Sequence, residues 1–173
     1  MLSQLIFFLE NEISDFISSK RDSSFEIVLG PPKNKEDLKA IGNDGKTLLL
    51  INIVNLVEEV FGGVQANGNS TTLNVKIMIS VYNEDNYLDS LGYLSDVISF
   101  FTKHSTFTPE SGPGIEGLMR LNFKVFNIPD NDLSTMFLSM GVEKLPSVIY
   151  ECRLATINTT LAPSLKPNQL SGW

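Results

Sequence analysis

Residues Thr71–His104 read TTLNVKIMISVYNEDNYLDSLGYLSDVISFFTKH, and the apolar period changes half-way along. Up to Tyr82, Leu73, Val75, Ile77, Ile79 and Val81 alternate with Asn74, Lys76, Met78, Ser80 and Tyr82. That period of two lays the first set on one face of a sheet. Asn83-Glu84-Asp85-Asn86 stops the strand. Tyr87, Leu91, Leu94, Ile98 and Phe101 then recur at helical spacing, and Leu88, Val97 and Phe100 widen the stripe. Asp85 or Asn86 can cap the first turn. The pattern predicts a strand over 71–82 and a helix over 86–104 that packs across the sheet through this stripe.

Working outward, Lys46–Phe61 is rich in Leu, Ile and Val and long for a strand. Leu49, Ile51, Ile53 and Val57 fall on one face, Leu48, Leu50, Val54, Leu56 and Val60 on the other, with Asn52 and Asn55 one on each face. Apolar residues on both faces predict a central strand, or one covered by a neighbouring subunit. Gly62–Asn69 is turn-rich, so Lys46–Tyr82 reads as a long hairpin. Upstream, Leu2, Leu5, Ile6, Leu9, Ile13, Phe16 and Ile17 form a helical stripe, with Lys20 and Arg21 near the helix's negative pole. Phe25–Leu29 is a short strand stopped by Gly30-Pro31-Pro32. Lys33–Gly45 is polar and reads as an excursion from the sheet, with a tight turn at Asn43-Asp44-Gly45. Downstream, Ser105–Glu116 reads as a loop and Leu118–Phe126 as a strand. Leu133, Met136, Phe137 and Met140 mark a short helix, capped by Asp130 or Asn131 and closed by Gly141. Ser147–Ile157 is a last strand after Pro146. The expected organisation is a single α/β (α+β) domain over 1–158, with a mixed or antiparallel sheet flanked by helices, and a tail over 159–173.

The chain has 173 residues, 42% of them hydrophobic, enough for one domain with a core. A formal net charge of -7 argues against nucleic acid and against an anionic membrane surface, both of which call for basic patches. Met1–Leu9 is apolar, but it lacks a basic leading region and Glu10 and Glu12 interrupt it, so it reads as a helix of the mature protein. No apolar run reaches the ~20 residues of a membrane span.

Residues with chemical potential have plainer readings. His104, the one histidine, falls at the predicted helix end, where imidazole suits the helix pole. Cys152, the one cysteine, alternates with apolar positions in a strand and reads as a small core hydrophobe. Glu58 and Glu59 are adjacent in a strand, so they face opposite ways and cannot share a site easily; charges at the surface or at an interface fit better. The Gly62-Gly63 and Gly42/Gly45 pairs lack phosphate-cradling spacing. Gly92 inside the predicted helix costs about 1 kcal/mol against alanine and suggests the close approach of another backbone. No catalytic, cofactor or metal site emerges. Phe61 and Trp173 are isolated large aromatics on turn-rich segments and are candidate interface anchors.

In this order, Phe25-Glu26-Ile27-Val28-Leu29-Gly30, Ile53–Glu59, Leu73–Ile79, the run Tyr87…Leu91…Leu94-Ser95-Asp96-Val97-Ile98-Ser99-Phe100-Phe101, and Leu133…Phe137…Met140-Gly141…Leu145-Pro146-Ser147-Val148-Ile149-Tyr150 resemble a known family. The pattern is similar to the cap, or tube-terminator, proteins of extracellular contractile injection systems, phage-tail-like particles of the antifeeding-prophage and virulence-cassette type. The resemblance implies a subunit akin to phage tail terminators and no enzyme activity or cofactor. It implies assembly with itself into a ring, a hexamer, on the inner tube protein, with the sheath protein as a further partner. It also implies assembly in the cytoplasm. A soluble non-catalytic interaction or adaptor domain, and a small hydrolase or ligand-binding domain, are the competing readings; the lone histidine weighs against the latter. The expected interface residues are Glu58, Glu59, Phe61 and Trp173.

Overall fold

The computed structural model describes residues 1–21, 24–31, 34–42, 45–59 and 70–157. In chain order the elements are α1 (Leu2–Ser18), β1 (Phe25–Leu29), α2 (Lys35–Ile41), β2 (Thr47–Glu58), β3 (Ser70–Tyr82), α3 (Tyr87–Lys103), β4 (Thr106–Phe107), β5 (Leu118–Val125), α4 (Asp130–Ser139) and β6 (Ser147–Ile157). The strands make one six-stranded sheet in the order β1-β2-β3-β6-β5-β4. β1 runs parallel to β2 and the other neighbours are antiparallel, giving the expected mixed α+β sheet. The expected long hairpin is β2–β3.

The alternation in β3 decides the layers. Val75, Ile77, Ile79 and Val81 are fully buried on one face. Leu5, Leu9, Ile13 and Ile17 of α1 and Tyr93, Val97, Phe100 and Phe101 of α3 close over them, joined by Leu49, Ile51, Leu121, Phe123, Tyr150, Cys152 and Leu154. Phe101 stacks on Tyr150 with ring centroids 4.1 Å apart. The opposite face is covered in two patches. Leu38 of α2 packs on Leu48, Leu50 and Tyr82, and Phe137 of α4 packs on Met78 and Ile149.

Several expectations need correction. The buried face of α3 is Ser90, Tyr93, Val97, Phe100 and Phe101, while Leu91 and Ile98 of the expected stripe are 36% and 41% exposed and Tyr87 is 64% exposed. The helix is apolar on both sides, so periodicity alone could not choose between them. Asn86 is the cap, accepting the Asp89 N–H at 3.2 Å. The polar excursion 33–45 contains α2, whose Asn34 side chain caps the Asp37 N–H at 2.9 Å. The loop 105–116 contains β4. A bulge between Ile53 and Asn55 inserts Val54, so Asn52 and Asn55 pair with Met78 and Lys76 and share one sheet face. A second bulge, at Met119, turns that residue outward and leaves Leu118 and Leu121 buried. α4 has Pro129 as its N-cap and no side-chain cap from Asp130 or Asn131. The Asn43-Asp44 turn, the loop 60–69, Phe61, the tail 158–173 and Trp173 lie outside the described residues.

Lys20 and Arg21 serve α3 rather than the end of α1. The Lys20 ammonium and the Arg21 guanidinium reach Asp96 at 3.1 and 2.5 Å and tie the two helices together. Arg21 also lies 4.6 Å over the Tyr93 ring. Gly92 makes room for this arrangement: a Cβ there would meet the Arg21 guanidinium at 2.7 Å. The close approach expected at Gly92 is therefore that of a side chain and not of a backbone. At the start of β5, Gly117 has φ +70° and its carbonyl accepts the Ile157 N–H at 2.8 Å. A side chain there would strike the Ile157 carbonyl.

Burial raises the pKa of Asp96, but hydrogen bonds from Arg21 and Lys20, and their charges, outweigh it and hold the carboxyl below its ordinary value of 3.8. A depressed carboxyl contributes stability above its unfolded pKa and loses it as pH falls through the folded pKa. Asp96→Asn is expected to cost about 1–2 kcal/mol at neutral pH. In urea titrations that difference should vanish under acid conditions; a pH-independent difference would assign the cost to packing. Gly92→Ala should gain up to about 1 kcal/mol in helix propensity and lose part of the ion pair, for a net change near zero. Gly117→Ala should cost at least about 1–2 kcal/mol, because the left-handed backbone and the carbonyl contact both oppose it.

Candidate interface at the end of the long hairpin

β2 outruns its parallel neighbour. β1 pairs with Thr47–Ile51, and the last contact of that edge is Gly30 N–H to the Ile51 carbonyl at 2.9 Å. From Asn52 to Glu58 the strand is paired, among the described residues, with β3 alone, and Leu56 and Val57 are 45% and 49% exposed. An unpaired edge of this kind is a template for another strand. The Val54 bulge bends it, and the Asn55 side chain accepts the Leu56 N–H at 2.8 Å, so a side chain takes that donor.

Register carries the two glutamates to opposite faces, as expected. Glu58 pairs with Leu73, whose side chain lies on the α1/α3 face. Glu59 bonds through its N–H to the Thr72 carbonyl and accepts Arg153 Nε at 2.8 Å, tying the end of the hairpin to β6. Arg153 belongs to a polar field that the chain order conceals. Lys124 and Glu151 pair at 2.9 Å on neighbouring strands, and the Lys76 ammonium sits 3.8 Å over the Phe126 ring. Asn122, Lys124, Glu151 and Arg153 line a recess of about 240 Å³. Such pairs, each with one exposed partner, contribute at most about 1 kcal/mol each. No sequence motif marks these residues; only the register of β3, β5 and β6 brings them together.

The residues with chemical potential stand elsewhere. His104 is the C-cap of α3, with its N–H on the Phe100 carbonyl and its ring beside Phe16 and Phe100. Cys152 is fully buried between Val75 and Phe123 on the adjoining strands. Burial pushes its thiol up to about 12. Among the described residues no group of three His, Cys, Asp or Glu could hold a metal ion, and no helix is long and apolar enough to cross a membrane.

The family model described as the Pvc16 N-terminal domain matches residues 5–169. The chain belongs to the Pvc16 N-terminal domain family. Among solved structures it is similar to the PVC sheath/tube terminator of an extracellular contractile injection system in the extended state, with a TM-score of 0.60 and 14% identity, covering 97% of this chain and 62% of that one. It is likewise similar to the tube-terminating cap of the anti-feeding prophage, with a TM-score of 0.62 and 10% identity, covering 95% of this chain and 59% of that one. At such identities the likeness is one of fold, and the chain spans about three fifths of either structure's length. No curated protein matches it.

The buried thiol gives a direct check of the core. Since the thiolate is the reactive form, native protein at about pH 8 should resist iodoacetamide and become alkylated only in denaturant. Rapid native labelling would show that β6 is not covered by β3, β5 and the helices as described.

Proposed function

We propose that this chain is a structural cap that closes the inner tube of a contractile injection system. The observation that carries this reading is the match of residues 5–169 to the Pvc16 N-terminal domain family, supported by likeness of fold to two tube-terminating proteins. In the proposed assembly, six copies form a ring seated on the tube protein, the sheath protein contacts its outside, and assembly takes place in the cytoplasm. The role is non-catalytic and uses no cofactor.

A ring requires a heterologous contact, in which one patch meets a different patch of the next copy. The distal end of β2 suits one side of that contact. It offers an unpaired edge, exposed Leu56 and Val57, and Glu58 at its tip. Glu59 has an internal partner and holds the arm in place. Phe61 and Trp173 are proposed as anchors on the neighbour, the tube rim or the sheath.

The test is negative-stain imaging and light scattering of the purified protein, alone and with tubes. Rings on tube ends are expected; a chain that stays monomeric and ignores tubes would favour the adaptor reading. Val57→Glu with Glu58→Lys should leave the melting temperature within a few degrees, because exposed sites usually change stability by no more than about 0.5 kcal/mol. It should nevertheless abolish ring formation. Removal of Pro163–Trp173 should leave the circular-dichroism spectrum unchanged and weaken co-sedimentation with tubes or sheathed particles.

A further inference from the structure

Beside α4 the sheet carries a pocket. Val54, Phe126, Ile128, Met136 and Ile149 form its apolar walls, and its volume is about 230 Å³. Asn55 and Lys76, paired in register across β2 and β3, complete the lining. The Lys76 ammonium is held 3.8 Å over the Phe126 ring, which fixes its position without supplying an oxygen acceptor. Glu151 lies opposite Lys76 on β6, but it pairs with Lys124 at 2.9 Å. Glu59 is taken by Arg153, so among the described residues Lys76 is left without a carboxylate. The Asn55 carbonyl oxygen accepts the Leu56 N–H, and the amide N–H donors of Asn55 have no partner among the described residues. An apolar pocket with a positive corner of free donors calls for an apolar group beside a carboxylate.

We infer that this pocket receives Leu56 and Glu58 from the hairpin tip of a neighbouring copy, with Leu56 between α4 and the sheet and Glu58 on Lys76. Charge and spacing select that occupant. Leu56 is 45% exposed, and Glu58 has no ion-pair partner among the described residues. Two apart on a strand, they share a side and stand about 7 Å apart. Among the described residues no other exposed apolar strand residue has an unpaired carboxylate two positions away; Val57 has Glu59, which Arg153 holds. Size agrees. Pockets for free small ligands run ~300–1,000 Å³, whereas this one has room for one anchoring side chain. Knob and socket also lie on opposite faces of the sheet. Leu56 and Glu58 stand beside Val75 and Leu73 on the α1/α3 face, and the pocket is on the α4 face. A copy therefore cannot fill its own pocket, and the contact is head to tail, the heterologous kind that a ring requires. The inference rests on the proposed ring as the assembly in which the contact recurs, and it names the second patch that such a ring needs.

The test uses the full chain, alone and with tubes, read by light scattering and negative-stain imaging. Lys76→Glu and Glu58→Lys should each weaken assembly at least about tenfold, with unchanged circular-dichroism spectra. Carrying both substitutions in one chain should restore it, and so should an equimolar mixture of the two single variants, because each knob then meets a socket of opposite charge. Cysteines fix the geometry. Copies with Leu56→Cys mixed with copies carrying Met136→Cys should oxidise to a disulfide-linked pair of twice 19.2 kDa, and neither variant should do so alone. The native Cys152 is fully buried and does not compete. Assembly unaffected by Lys76→Glu, or a charge swap that restores nothing, would overturn the contact and leave the cap reading standing. Charge-dependent, cross-linkable oligomers that ignore tubes would uphold the contact and sink the cap reading. A chain that stays monomeric and is never cross-linked, with or without tubes, would overturn both.

Discussion

Everything in this fold depends on keeping the β3 row Val75, Ile77, Ile79 and Val81 dry. These four side chains are fully buried in one cluster with residues of α1 and α3; Val75, Ile77 and Ile79 are flanked by β2 and β6, and Val81 by β2 and Pro146. The strand lies inside the sheet, so its backbone is paired on both edges. The helices in turn must lie close together to cover it, which brings α1 against α3. Their contact is cemented at one end by Lys20, Arg21 and Asp96, three charges that are each less than one-third exposed. Partial burial makes the loss of one partner costlier than at the surface, because an unpaired charge would be left behind, and the missing side chain at Gly92 gives the guanidinium its place.

How much of this could be read from the chain follows from where apolar periodicity is one-sided. β3, β1 and β6 have clear bounds because turn residues or Pro146 punctuate them, and Phe25–Leu29 and Ser147–Ile157 were legible to the residue. α3 was legible as a helix but not in its orientation. Tyr87, Leu91 and Ile98 read as core because they are apolar at the right spacing, while Tyr93 and Val97 satisfy the same test and are the ones buried. α2 was hidden because one turn of capping chemistry, Asn34 with Asp37, looks like a loop when a single leucine is its buried contact. The two bulges, at Val54 and Met119, have no local signature. Each shifts every later side chain by one face, which is why Asn52 and Asn55 share a face and Met119 points outward.

The candidate interface was legible only at the hairpin tip. Glu58 and Glu59 were marked by their place at the end of a long apolar strand. Lys76, Lys124, Glu151 and Arg153 were not, since they come from three strands and meet only through register. Charges scattered at single positions in apolar strands read as ordinary alternation, yet once the strands pair they make one field on one face. A search by motif looks along the chain and cannot see a feature that runs across it.

The edges of the sheet are unequally guarded. A six-stranded sheet has two outer strands. On one side β1 protects only the first half of β2, and on the other β4 contributes two residues against β5. The central strands are much longer than the strands that guard them, so the hairpin projects past its cover. In a chain selected to remain alone, the usual remedy is to shorten the long strands or place charges along the open edge. Here the open stretch of β2 carries Leu56 and Val57, and among the described residues it is protected by a bulge, the Asn55 side chain and the charge of Glu58 at its end. That is enough to discourage indiscriminate strand pairing, because the bend admits few partners, but it leaves the apolar tip available to a surface shaped for it. In the proposed assembly, edge, bulge and exposed tip would meet opposed demands, limiting aggregation of the free chain while keeping a contact for a partner.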